Sequence, residues 1–183
     1  MAAIRSVRRR RLAVAILLLA VAALTAMPLF PVLTVADGET GARLLTIPVS
    51  HGERVTLCYT HSIHRTPVVE TYTIGDGILV LEAMRFQSYG VGMPSDVEMG
   101  QTFTMENGWF VLAHLNRLLP HLDLRIGYVA NHTLRIGPRQ FPLARVAAPG
   151  SWVRLTVRRE TLANRLWRVI GSDDGHETPT AVQ

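Results

Sequence analysis

Val55-Thr56-Leu57-Cys58-Tyr59-Thr60-His61, then Val68-Val69-Glu70-Thr71-Tyr72-Thr73-Ile74, Asp76-Gly77 and a returning run over 78–86 decide the fold. In the first run Val55, Leu57, Tyr59 and His61 alternate with Thr56, Cys58 and Thr60, the period-2 signature of a strand with one buried face. The second run alternates likewise, with Val68, Glu70, Tyr72 and Ile74 on one face. Asp76-Gly77 reads as a two-residue hairpin turn of type I′, which needs positive φ at both central positions. The stretch is therefore expected to be a three-stranded antiparallel meander.

Counting across a tight turn pairs His61 with Val68, Tyr59 with Glu70 and Leu57 with Tyr72, which makes His61 and Glu70 diagonal neighbours. The two-residue loop at Asp76-Gly77 sets Ile74 against Leu79, Tyr72 against Leu81 and Val68 against Arg85, so Arg85 is expected diagonal to Glu70. A carboxylate among Val68, Tyr72 and Ile74 must be paired or neutral, because an isolated buried charge costs several kcal/mol. Either a structural polar knot or a binding cluster satisfies that demand. The candidates for a ligand site are His61, Ser62, Glu70, Tyr72, Arg85, Ser88, Tyr89, Gly90 and Gly92.

Outward from this centre the same pattern continues. Residues 44–49 form a run before it. Residues 102–105 and 109–112 face each other across Glu106-Asn107-Gly108, a second hairpin signal. Residues 114–119 are ambiguous: Leu115, Leu118 and Leu119 fit helical spacing, and Pro120 ends the segment. Runs at 122–129, 133–136, 140–143 and 152–157 complete a strand-rich set, and Thr161 is placed to cap a short helix over 162–170. The expected class is all-β, a small antiparallel sandwich or partly closed barrel, preceded by one N-terminal transmembrane or signal helix and followed by a short C-terminal helix. The stretch 87–101 has no clear periodicity, and connections of that length in compact domains are usually functional or disordered.

The N-terminus carries Arg5 and Arg8 to Arg11 ahead of an apolar run, and no further charge occurs before Asp37. A positive segment before an apolar one is the pattern of a secretory signal, and residues 12–33 also match the length of a membrane span. The expected organisation is a signal-anchor or signal peptide over 1–36, an exported β domain over 37–171 and a tail over 172–183. The arginines then stay in the cytoplasm, giving a single-pass inner-membrane protein whose C-terminal domain is periplasmic. Cleavage would instead leave it soluble in the periplasm.

The formal charge of +5 is misleading for the domain. Setting aside those five arginines leaves fourteen basic residues against fourteen acids. A neutral domain lacks the basic patch that nucleic-acid binding requires. Cys58 is the single cysteine and reads as an inert thiol in an apolar strand.

No complete catalytic or metal constellation stands out. His61, His64 and Glu70 are potential ligands, but a three-residue step on a strand turns two side chains to opposite faces, so no metal or other cofactor is expected. Ser62 beside His61 lacks a nucleophile elbow. The Gly90-Val91-Gly92 stretch offers backbone N–H groups to an anion, although Asp96 and Glu98 follow closely.

Thr60-His61-Ser62, Thr66-Pro67-Val68, Glu70 and Tyr72, followed by Phe86, Ser88-Tyr89-Gly90, Gly92 and Pro94, resemble a bacterial domain-of-unknown-function family over roughly residues 45–157. That family is encoded beside, or fused to, TAXI-type TRAP transporters. The resemblance implies a periplasmic accessory of solute uptake. Together with the anchor, the neutral domain and the lack of a complete catalytic constellation, it leads to the expectation of a non-enzymatic module whose partners are the membrane, TRAP subunits or a solute-binding protein, or a small solute. The rival expectation is a periplasmic hydrolase with His61 as general base, Glu70 orienting it and Ser62 beside it.

Overall fold

The computed structural model describes residues 2–88 and 97–171; Tyr89, Gly90 and Gly92, like the tail 172–183, lie outside the described residues. Helix α1 (Ala2–Ala26) leads into strands β1 (Pro28–Asp37), β2 (Arg43–Pro48), β3 (Arg54–Thr60), β4 (Pro67–Ile74) and β5 (Leu79–Phe86). Then follow β6 (Thr102–Glu106), β7 (Trp109–Leu119), β8 (Leu122–Arg125), β9 (Thr133–Ile136), β10 (Arg139–Pro142), β11 (Trp152–Thr161) and helix α2 (Leu162–Gly171). Residues divide into two compact units, Pro31–Arg158 and a second that joins Met1–Phe30 to the chain from Arg159 onward.

In the larger unit the strands form two antiparallel sheets, one ordered β2-β1-β11-β8 and the other β10-β9-β3-β4-β5-β7-β6. Both contribute to one core. Leu33, Val35, Ile47, Val153 and Leu155 come from the first sheet, and Val55, Leu57, Tyr72, Ile74, Leu79 and Ile136 from the second. Alternation supplies these inward sets, so the expected antiparallel two-sheet arrangement is what forms.

Turn chemistry sets the strand ends. Asn107 (φ 50°) and Gly108 (φ 79°) both take the left-handed conformation, so β6 and β7 close as a two-residue hairpin with Glu106 opposite Trp109. At Asp76-Gly77 only Gly77 has positive φ (72°), so this turn is not the type I′ that was expected, although Ile74 does face Leu79. Close approach requires glycine at Gly38, where an added Cβ would collide with the Trp152 ring.

One ambiguity is resolved and two expectations are corrected. Residues 114–119, open between helix and strand in the sequence, finish β7, because pairing with β5 overrides their helical spacing. Residues 28–36, expected within the N-terminal signal or anchor segment, instead belong to strand β1, which begins just after the helix ends at Ala26. Val32 to Val35 of β1 are buried between β2 and β11. Proline lacks the N–H a helix needs, and β-branched Val32, Thr34 and Val35 favour the sheet. Arg85, finally, leaves the face of Glu70.

The reason is a bulge. Tyr72 faces Leu81 as counted, but Thr71 faces Ala83, so Glu82 is an extra residue in β5. Every residue after it changes sides. Arg85 therefore opposes Val69, and Met84 takes the place beside Glu70.

In the smaller unit α1 ends at Ala26, where the Thr25 hydroxyl donates to the carbonyls of Val21 and Ala22 (both 3.0 Å). No helix of the described residues is long and apolar enough to cross a membrane. Residues 12–26, free of charge, make only about 22 Å of helix against roughly 30 Å of hydrocarbon. Thr161 caps α2 as expected, its Oγ1 accepting from the Asn164 N–H at 3.1 Å.

Candidate functional site

The β3–β4 hairpin closes later than simple counting predicts. Tyr59 faces Val68 and Thr60 faces Pro67, leaving 61–66 as the connection. His61 is thus a turn residue. Its N–H donates to the Thr66 carbonyl (2.8 Å), its carbonyl accepts from the Arg65 N–H (2.9 Å), and its Nδ1 accepts from the His64 N–H (3.2 Å). The His61 and His64 rings stack with centroids 4.8 Å apart, and Arg65 takes φ 55°. Ser62 is exposed on the same turn. The ring nitrogen a general base would use to contact its orienting group is already spent on the turn.

Glu70 has different partners from those counted. Leu57 stands directly opposite it, and Tyr59 and Tyr72 flank it on the same face. The Tyr59 hydroxyl donates to Oε1 at 3.0 Å and the Tyr72 hydroxyl to Oε2 at 2.5 Å. Each carboxylate oxygen therefore has one phenolic donor, the charge-assisted satisfaction that a half-buried carboxylate requires. Burial pushes both phenols above their usual range, and the charge of Glu70 and its hydrogen bonds add to the effect. Arg117 pulls Tyr72 slightly the other way. This is the polar knot of the earlier reading, built by tyrosines rather than by His61 or Arg85.

His132 packs against Tyr59 at 5.3 Å between ring centroids, and burial lowers its pKa. Its Nδ1 and the Nε2 of His64 are buried without a hydrogen-bond partner. Arg85 lies on the outer face over the Trp109 ring at 5.1 Å. Ser88 is half-buried at the end of the first described segment. The expected cluster of His61, Ser62, Glu70 and Arg85 is thus dispersed. Among the described residues no group of three or more His, Cys, Asp or Glu side chains is placed to hold a metal ion. Cys58 is a free, half-buried thiol in a shallow groove with Thr133, Arg135 and Gln140.

One strand further across the inner face lies a cleft of about 670 Å³, lined by Leu81, Met84, Leu112, Leu115, Asn116, Arg117, Glu98 and Gln101. Met84 is the cross-strand neighbour of Glu70 and Leu81 that of Tyr72, so the knot borders the cleft floor. A second irregularity shapes its wall. Leu81 faces Arg117 while Ala83 faces Ala113, so 114–116 bulge out of β7. His114 (φ 60°) and Asn116 (φ 45°) take left-handed backbone there, a conformation that non-glycine residues adopt sparingly. Glu98 and Gln101 bond each other, Gln101 Nε2 donating to Oε2 at 3.3 Å. The Arg117 guanidinium has no ion-pair partner among the described residues. An apolar floor with Arg117, unpaired among the described residues, at its rim suits a small amphipathic anion.

Sequence reading missed Tyr59, His132, Arg117 and the cleft. Tyr59 was accessible to it, being on the face of Glu70 in the alternation. The cleft was not, because both bulges depend on tertiary pairing.

Neither a curated protein nor a solved structure matches this chain. Residues 55–143, which run from β3 to the end of β10 and hold both the knot and the cleft walls, match the family described as DUF1850, a domain of unknown function.

Proposed function

We propose that this protein is a non-enzymatic binding module on the outer side of a bacterial inner membrane, serving solute uptake of the TRAP type. The observation that carries the reading is the cleft, about 670 Å³ with an apolar floor of Leu81, Met84, Leu112 and Leu115 and, at its rim, Arg117 without an ion-pair partner among the described residues. Cavities of roughly 300–1,000 Å³ are typical of small-molecule sites. Backbone strain at His114 and Asn116, next to this lining, is the kind of cost retained at ligand sites. Export is supported by the arginines preceding the apolar residues of α1, and the TRAP setting by the resemblance of the Thr60–Pro94 motifs. The hydrolase reading has lost its support, since His61 and Glu70 each bond other groups.

Native mass spectrometry of the full chain, purified in mild detergent, tests the proposal. A small anionic adduct is expected on the wild type and its loss on Arg117→Glu. A chain free of adduct, combined with unchanged solute uptake when the chain is deleted from its host, would overturn it.

A further inference from the structure

We infer that α2 is a second membrane element, an amphipathic helix that lies in the headgroup boundary of the bilayer beside the exit of α1. Leu162, Leu166 and Ile170 recur at four-residue spacing, with Trp167 next to them, while Asn164, Arg165 and Arg168 occupy the opposite side. The apolar side is bare: Leu166 is 51%, Trp167 79% and Ile170 68% exposed. Three large apolar side chains on ten residues of helix are not ordinary surface scatter, and such a patch marks an interaction site.

What covers it follows from its neighbours and its chemistry. Arg165 stacks over the Phe30 ring at 4.8 Å, which ties α2 to the chain just beyond α1. The adjacent α1 is itself bare and apolar, with Leu12, Ile16, Leu17, Leu19 and Leu24 all more than half exposed. A helix with Trp and Leu on one side, cations on the other and modest overall hydropathy is built to lie in the bilayer interface rather than to cross it. Trp belongs at the headgroup level, where its ring is apolar and its N–H finds water. Arg168 is held by the buried Glu160 and Arg165 by Phe30, so the polar side is fixed away from the lipid. An interfacial α2 also compensates for the short apolar length of α1, since two elements then share the anchoring.

The test uses the full chain reconstituted into phosphatidylethanolamine–phosphatidylglycerol vesicles. Subtracting the emission of Trp167→Phe from that of the wild type isolates the Trp167 signal. Expected is a blue-shifted emission, quenched by bromine carried on the acyl chains about 5–10 Å below the headgroups and shielded from aqueous iodide. The double variant Leu166→Glu/Ile170→Glu should reverse both readouts while α1 stays resistant to alkaline extraction. Iodide access in the wild type would overturn the proposal. So would shielding from iodide without bromine quenching, which would mean that a second copy or another protein covers the helix.

Discussion

β3 and β4 pair residue for residue from Arg54 opposite Thr73 to Thr60 opposite Pro67, whereas β5 meets both its neighbours through interruptions. Glu82 is extra on one side and 114–116 on the other. On the regular side Val55, Leu57 and Ile74 are sealed under the four-stranded sheet, and Glu70 is closed by two hydroxyls. On the interrupted side the same face carries a cleft with the Arg117 guanidinium at its rim. Regular register builds a surface that a second sheet can cover. Bulges bend the strand, raise its twist and leave room for something else.

The first prediction opposes the two sides directly. Leu57→Ala should cost about 2–5 kcal/mol, as large-to-small changes at sealed sites do, whereas Leu115→Ala on the cleft wall should cost under about 1.5 kcal/mol. Urea denaturation of both variants measures this; equal costs would mean that the cleft is packed in solution.

Next comes the knot at the border between the two sides. Glu70→Ala leaves two buried hydroxyls without an acceptor and should cost about 1–3 kcal/mol, while Glu70→Gln, which keeps one acceptor, should cost less. Thermal unfolding of the pair separates lost hydrogen bonds from lost volume.

The same hydroxyls set an alkaline limit. Their folded pKa values are raised above the unfolded value near 10, so the proton is held more tightly in the folded state. That stability is fully present below about pH 10 and falls as pH rises beyond it. Tyr72→Phe should flatten the alkaline fall. His132 acts at the other end with the opposite sign: its lowered folded pKa contributes stability above about pH 6.5 that is lost as pH falls below it. His132→Phe should flatten the acid branch of the same stability–pH curve.

The smallest effect belongs to the turn. His61→Ala removes the acceptor for the His64 N–H and should cost about 0.5–1.5 kcal/mol while leaving the adduct in the cleft untouched. Loss of the adduct at unchanged stability would return His61 to the site.

Much of the fold was legible because its causes are local. Alternation over 55–61 and 68–74 located two core strands, Asn107-Gly108 located a hairpin, and Thr161 located a helix cap. The candidate site was legible only in part. Glu70 was recognised as a carboxylate needing partners and Tyr72 as a neighbour on its face, but His61 and Arg85 were assigned to it wrongly. Each error came from counting across a connection: a six-residue turn at 61–66 in one case, an inserted Glu82 in the other.

What the sequence alone determined is which residues share a face within the regular strands β3 and β4, where the tight turns fall and that the domain is neutral. These depend on period, side-chain branching and charge, which act within a few residues. Only the tertiary structure decided register, because inserting one residue turns every later side chain to the opposite face at little local cost. It also moved most of Pro28–Asp37 from the N-terminal signal or anchor segment into the sheet, since β2 and β11 were there to pair with it. The cleft belongs to the same category, existing only where β5 and β7 fail to match residue for residue.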